Sequence, residues 1–286
     1  EPKLSSGRSY QKHPGIAYRK AADCYNPVVP QDPFSRLDAA YELCARGRPD
    51  RALALLAAPV PAALSAQRDY LRGEALRGHG GVRRAGAAYR AALTRVEAAD
   101  RDISFGCELG QARCARSLGE TAAARRALAR ARRLPGADRE TLALEDALLL
   151  RADGRHHSAL KALVPMLAAA RRRRDWSAVG FLLWAIAGSR RFSGDLAGAQ
   201  RDFKKSLAAF RRSSDREAGA YALFGLGGTL RMRGRFAQAR GAYATAERRL
   251  SHSPDRFGRA YAHCGLANCL RQMGHLAQAK KNYLRA

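Results

Sequence analysis

Hydrophobic and polar positions along this chain follow a recurring pattern. A glycine at 47, 80, 119, 154, 194, 234 and 274 is followed five residues later by Ala52, Ala85, Ala124, Ala159, Ala199, Ala239 or Ala279. Four residues further on stands a large side chain: Leu56, Tyr89, Leu128, Leu163, Phe203, Tyr243 or Tyr283. Ahead of each glycine the apolar residues recur at offsets of three and four, the spacing of one helix face. Leu223, Leu226, Gly227 and Leu230 fill that face in one copy, and His263, Leu266, Ala267 and Leu270 in the next. The predicted unit is therefore a helix, a glycine turn and a second helix. First helices are expected over 176–192, 215–232 and 254–272, and second helices over 195–213, 235–251 and 275–286. Ser214-Asp215 and Ser253-Pro254 supply start signals. Regular self-similarity at this period predicts an all-α solenoid of tandem helix-turn-helix repeats.

The first 33 residues follow different rules. Pro27, Pro30 and Pro33 forbid a regular helix, while Tyr10, Tyr18 and Tyr25 punctuate a basic stretch with room for a short helix around Ile16 to Cys24. Residues 1–33 are read as a proline-containing basic extension, and 34–286 as about seven repeats with the last incomplete. The sequence stops at Ala286 within the seventh second helix. Further repeats or a partner capping the C-terminal face are expected, because the end of a solenoid needs a polar cap.

Gly-Arg-Phe-Ala-Gln-Ala-Arg-Gly-Ala-Tyr at 234–243 and Gly-His-Leu-Ala-Gln-Ala-Lys-Lys-Asn-Tyr at 274–283 show the unit most clearly, and the unit resembles the tetratricopeptide-repeat (TPR) superfamily over residues 34–286. The marker glycines are 33, 39, 35, 40, 40 and 40 residues apart. The last three steps exceed the family's usual period of about 34 and are similar to the long-helix repeats of kinesin light chains, polarity scaffolds and bacterial regulator sensor arms. The resemblance implies a right-handed α-solenoid whose first helices line a concave groove, and a role in binding peptides or partner proteins. Pro59 and Ser206 depart from the pattern, standing where the second helix would carry a small alanine.

Charge narrows the partner. Lys and Arg number 52 against 25 Asp and Glu, a net charge of +27. Such a field favours anionic partners: acidic peptides or protein segments, nucleic acid, phosphorylated ligands or an anionic membrane surface. A membrane span would need about 20 consecutive apolar residues, and no segment reaches that. Among the six cysteines, Cys107 and Cys114 would lie about 10 Å apart on a helix, and Cys264 and Cys269 point to different faces. Free thiols fit a cytoplasmic location.

By the family's geometry, the groove-facing stripe stands thirteen, ten, six and three residues before each glycine. Its last position reads Cys44, Arg77, Arg116, Arg151, Arg191, Arg231 and Arg271. Its upper positions become aromatic in the last repeats, with Trp184, Phe224, Tyr221 and Tyr261. An arginine ladder facing an aromatic wall suits an extended ligand bearing carboxylates or phosphates, since the planar guanidinium both binds an oxyanion bidentately and stacks. Internal pairing is the competing explanation for the ladder. From Trp176 to Ala286, however, 20 basic residues face only six acids. Asn268 stands where peptide-binding relatives place a backbone clamp, and Gly188 and Gly228 at the same position leave room for bulky ligand groups. His156-His157 are expected on an exposed turn.

No catalytic constellation stands out. A phosphate-cradling loop, a His-Glu-x-x-His pair and a nucleophile elbow are all missing from the sequence, and His263, Cys264 and Cys269 lie on different helix faces, so neither catalytic residues, a metal site nor a cofactor is expected. Three classes of function remain open: a non-enzymatic adaptor capturing an acidic or extended peptide segment, an RNA- or DNA-binding solenoid, and the sensor or regulatory arm of a larger signalling protein.

Overall fold

The computed structural model describes residues 32–97, 100–253 and 255–286. Over these the chain forms seven helical hairpins: α1 (Pro33–Ala45) with α2 (Pro49–Leu55), α3 (Ser65–Gly78) with α4 (Val82–Leu93), α5 (Arg101–Ser117) with α6 (Thr121–Arg133), α7 (Arg139–Ala152) with α8 (His156–Arg172), α9 (Trp176–Phe192) with α10 (Leu196–Arg212), α11 (Arg216–Met232) with α12 (Phe236–Leu250), and α13 (Arg256–Gln272) with α14 (Leu276–Arg285). The helices expected from α9 onward match these bounds within two residues. Apart from Asp32 and Pro33, the N-terminal extension lies outside the described residues.

Backbone geometry explains why the turn glycines mark the repeats. All seven adopt left-handed φ values between 67° and 94°, a region that costs an L-residue about 1–2 kcal/mol and glycine nothing. The turn then closes in a Schellman-like manner: Gly234 N–H donates to the Arg231 carbonyl at 3.0 Å and Arg235 N–H to the Leu230 carbonyl at 2.9 Å. Aspartates cap helices on both sides of these turns: Asp175, Asp215 and Asp255 cap the first helices α9, α11 and α13, accepting from the backbone N–H of Ala178, Ala218 and Gly258, and Asp195 caps the second helix α10, accepting from Gly198 N–H. Asp255, rather than Ser253, is the cap of α13; Pro254 is outside the described residues.

Where the large residue nine positions after a turn glycine is Tyr89, Phe203 or Tyr243, it is a knob that crosses to the next repeat. Tyr89 packs on Gly110 of α5, Phe203 on Gly225 of α11, and Tyr243 on Gly265 of α13, each so closely that a Cβ on the glycine would overlap the ring. The departures from the alanine column at Pro59 and Ser206 are accommodated locally. Ser206 is buried and its hydroxyl donates to the Gly180 carbonyl at 2.7 Å, while α2 stops at Leu55 and the Pro59 carbonyl accepts from Arg36 at 2.7 Å.

Extensive contacts join only helices one or two apart in the chain, with first helices α9, α11 and α13 stacked in sequence. Small rotations accumulate along this stack. Arg48, Asp50 and Arg51 of the first hairpin and His252, Ser253 and Arg259 of the last two thereby line one cleft of about 360 Å³, so the array curls through nearly a full superhelical turn. On α14, Leu276, Tyr283 and Leu284 are exposed. No helix among the described residues is long and apolar enough to cross a membrane.

Candidate functional site

The arginine column divides into two halves that differ in how charge is balanced. At the first rung, Arg77 donates to Glu74 at 2.6 Å, and the same carboxylate accepts from Tyr89 Oη at 2.5 Å. Burial alone would raise the Glu74 carboxyl, but the Arg77 charge and these hydrogen bonds hold it at about 2. At the second rung, Arg116 donates to Glu145 at 3.2 Å, and Arg113 donates to the same carboxylate at 2.6 Å. For Arg77 and Arg116 the internal-pairing explanation is therefore correct, and the partners come from the same or the following first helix.

Beyond Glu145 the pattern changes. Among the described residues, Arg151, Arg191, Arg231 and Arg271 form no ion pair. Acids of this region are used elsewhere: Asp175, Asp195, Asp215 and Asp255 cap helices, Asp146 and Asp153 pair with Arg132 and Arg125, Asp202 accepts from Arg190 at 2.6 Å, and Glu217 accepts from Ser253 at 2.7 Å. Arg151 lies over the Trp184 ring at 4.6 Å and against Gly188, where a Cβ would come within 3.1–3.3 Å of the guanidinium. Arg191 does the same one repeat on, packing over Gly228 and lying 4.7 Å from the Phe192 ring centroid. The space expected at Gly188 and Gly228 for a ligand is thus occupied by the preceding repeat's guanidinium. Glycine is what lets that group reach across to the next first helix.

Electrostatics register the missing acids. Burial, then the like charges of Arg116 and Arg191, lowers Arg151 to about 10, so it remains cationic at neutral pH. Burial also depresses Arg191, with Tyr261, Tyr243 and Arg231 within range of its charge. The Arg191 Nε–H is buried without an acceptor. Arg231 is half-buried and Arg271 exposed at the end of the column.

The aromatic wall is rearranged relative to the expectation from the columns. Phe224 does not face the groove: it is 4% exposed, beneath Tyr221, Tyr243 and Tyr261 with ring centroids 5.4, 6.3 and 5.0 Å away. Tyr261 of the next repeat covers it. Tyr261 itself is 42% exposed, Trp184 is half-buried, and Tyr221 donates to Asp255 at 2.7 Å. The column reading missed Phe257, which is 66% exposed and lies 6.1 Å from Tyr261; its place four residues before Tyr261, one helical turn away, was the available signal. Asn268 is engaged internally, with Nδ2 donating to the Cys264 carbonyl at 3.0 Å and Oδ1 accepting from Tyr283 at 3.0 Å. His156 is half-buried, not an open turn residue, because its ring stacks on Phe192 at 5.5 Å.

Comparison with known proteins places this geometry. Residues 179–251 match a model described as tetratricopeptide repeat, and residues 34–104 one described as tetratricopeptide repeat-like domain. The chain is a tetratricopeptide-repeat protein. No curated protein matched it in a sequence search. Among solved structures, it is similar to a Rap protein complexed with competence and sporulation factor, at 16% identity and a TM-score of 0.63 over 88% of this chain and 95% of that one. RapI in its apo form matches at 11% identity and a TM-score of 0.50 over 88% and 95% of the two chains. BtubC (BKLC) from P. vanneervenii matches at 15% identity and a TM-score of 0.51 over 73% and 88%. At these identities the likeness concerns the fold of the TPR array.

Proposed function

We propose that this TPR protein is a non-enzymatic interaction module whose groove over α9, α11 and α13 captures an extended acidic segment of a partner protein. One observation carries the reading: Arg151 and Arg191 are half-buried with no carboxylate beside them, whereas Arg77 and Arg116 in the same column have Glu74 and Glu145. Burying a cation without a counter-charge is costly, and an anionic ligand offsets that cost on binding. The exposed rings of Tyr261 and Phe257 supply an apolar edge beside the cations. A complexed ligand in one structural relative agrees with a binding role.

The test separates binding from folding. Arg231→Glu with Arg271→Glu alters one half-buried and one exposed groove residue, neither of which makes an ion pair among the described residues, so little stability is expected to be lost. The double variant is expected to keep its helical content and thermal midpoint and to lose the partner in a pull-down from source-cell lysate. Ala239→Glu is the contrasting control, since Ala239 is fully buried and a carboxylate there disrupts the α11–α12 hairpin. Retained capture by a folded Arg231→Glu/Arg271→Glu protein would place the ligand on another surface. Capture abolished by nuclease would turn the reading to nucleic acid.

A further inference from the structure

We infer that the groove reads the spacing of carboxylates in its ligand, and that it selects an acidic segment held as a polyproline II helix with a carboxylate at every third residue. This deepens the reading above and rests on it.

The seats of the guanidiniums define the ruler. Arg151 springs from α7 but its head lies on α9, against Gly188 and Trp184; Arg191 springs from α9 and its head lies on α11, over Gly228. The two cationic heads are therefore displaced by the separation of α9 from α11, which pack directly on one another. Packed helices stand about 8–10 Å apart. Arg231 on α11 occupies the next place in the column, although the facing position on α13 is Asn268 rather than glycine.

Few backbone conformations repeat at that interval with side chains on one side. A β-strand brings side chains back to the same face every second residue, about 6.6 Å apart, and so falls out of step after one rung. Polyproline II returns every third residue with a rise of about 3.1 Å, or about 9.3 Å per turn, which matches the helix spacing. It also leaves two residues in three to face the Tyr261 and Phe257 edge or solvent. Because this conformation makes no internal hydrogen bonds and is already populated in free chains, less ordering is required on binding. The ruler has a defined end. At Arg116 the Glu145 carboxylate already occupies the guanidinium, so ligand carboxylates engage Arg151, Arg191 and Arg231 and do not continue toward α5.

Three dodecapeptides of identical composition test the inference, each with four aspartates and the remaining positions shared among Pro, Ala and Ser. One carries Asp at every third position, one at alternate positions and one as a terminal block. Fluorescence anisotropy with the full chain at low salt is expected to give about tenfold tighter binding for the every-third peptide. That advantage should vanish in Arg191→Gln, whose retained fold is checked by circular dichroism. Equal affinities for the three peptides, or an advantage that survives Arg191→Gln, would overturn the register while leaving capture of acidic segments intact. If the folded protein binds none of them, the acidic-segment reading itself falls. Stronger binding of a single-stranded oligonucleotide of equal charge, also lost in Arg191→Gln, would overturn both in favour of a nucleic-acid ligand.

Discussion

At the scale of single residues, the left-handed turn positions are where sequence and conformation are most tightly tied. Gly234 has φ 72° and nothing within 4 Å of where a Cβ would stand, so Gly234→Ala introduces strain without a clash and should cost about 1–2 kcal/mol. The turns between repeats carry the converse arrangement, because Arg174 and Ser214 occupy the same region at φ 55° and 58°. Replacing either with glycine removes that strain but adds freedom to the unfolded chain, for a net gain of about 0.5–1 kcal/mol. Thermal midpoints of the three variants give the check; a fall for Ser214→Gly would show that its hydroxyl, which marks the turn, matters more than its φ. The turn glycines were legible because a positive φ excludes nearly every other residue. Phe224 was not, since its burial depends on Tyr261 from the next first helix, a contact absent from any column read within one helix. The cationic column was visible in the sequence, but its division was not: that Glu145 reaches Arg116 and no acid reaches Arg151 is a consequence of packing between repeats.

Between elements, residue size is matched across the repeat interface. Where the knob nine residues after the turn is aromatic, the facing position nine residues before the next turn is glycine: Tyr89 with Gly110, Phe203 with Gly225, Tyr243 with Gly265. Where the knob is Leu163, the corresponding position is Ala185, and where it is Leu56, the position is Leu71. This covariation is present in the sequence, but which glycine faces which ring is set by packing between hairpins and not by the spacing within one. The consequence is specific. Gly225→Ala forces its methyl into the Phe203 ring, and overpacking of this kind costs about 1–3 kcal/mol. Phe203→Leu should relieve it, so the double variant is expected to be more stable than the sum of the two single changes. A double-mutant cycle on unfolding free energies measures that coupling; additive effects would mean that α11 shifts to accept the methyl and that the size match is incidental.

Over the whole molecule, curvature and charge act against each other. Each helix packs extensively only on elements one or two away, so the superhelical turn is largely a sum of small interface rotations. The net charge of +27 pushes the coil open, most where its two ends approach at Arg51 and Arg259. Salt tips this balance, because the screening length falls from about 30 Å at 0.01 M ionic strength to about 8 Å at 0.15 M. The radius of gyration by small-angle scattering should therefore decrease over that range, while helical content measured by circular dichroism stays constant, since the hairpins themselves are held by apolar knobs. A bound acidic segment should produce the same contraction at low salt, as its carboxylates neutralise Arg151, Arg191 and Arg231 on the inner face, and Arg191→Gln should weaken that ligand effect but not the response to salt. A radius unchanged by either salt or ligand would show that knob packing alone sets the curvature, and that the groove holds one shape whether empty or filled.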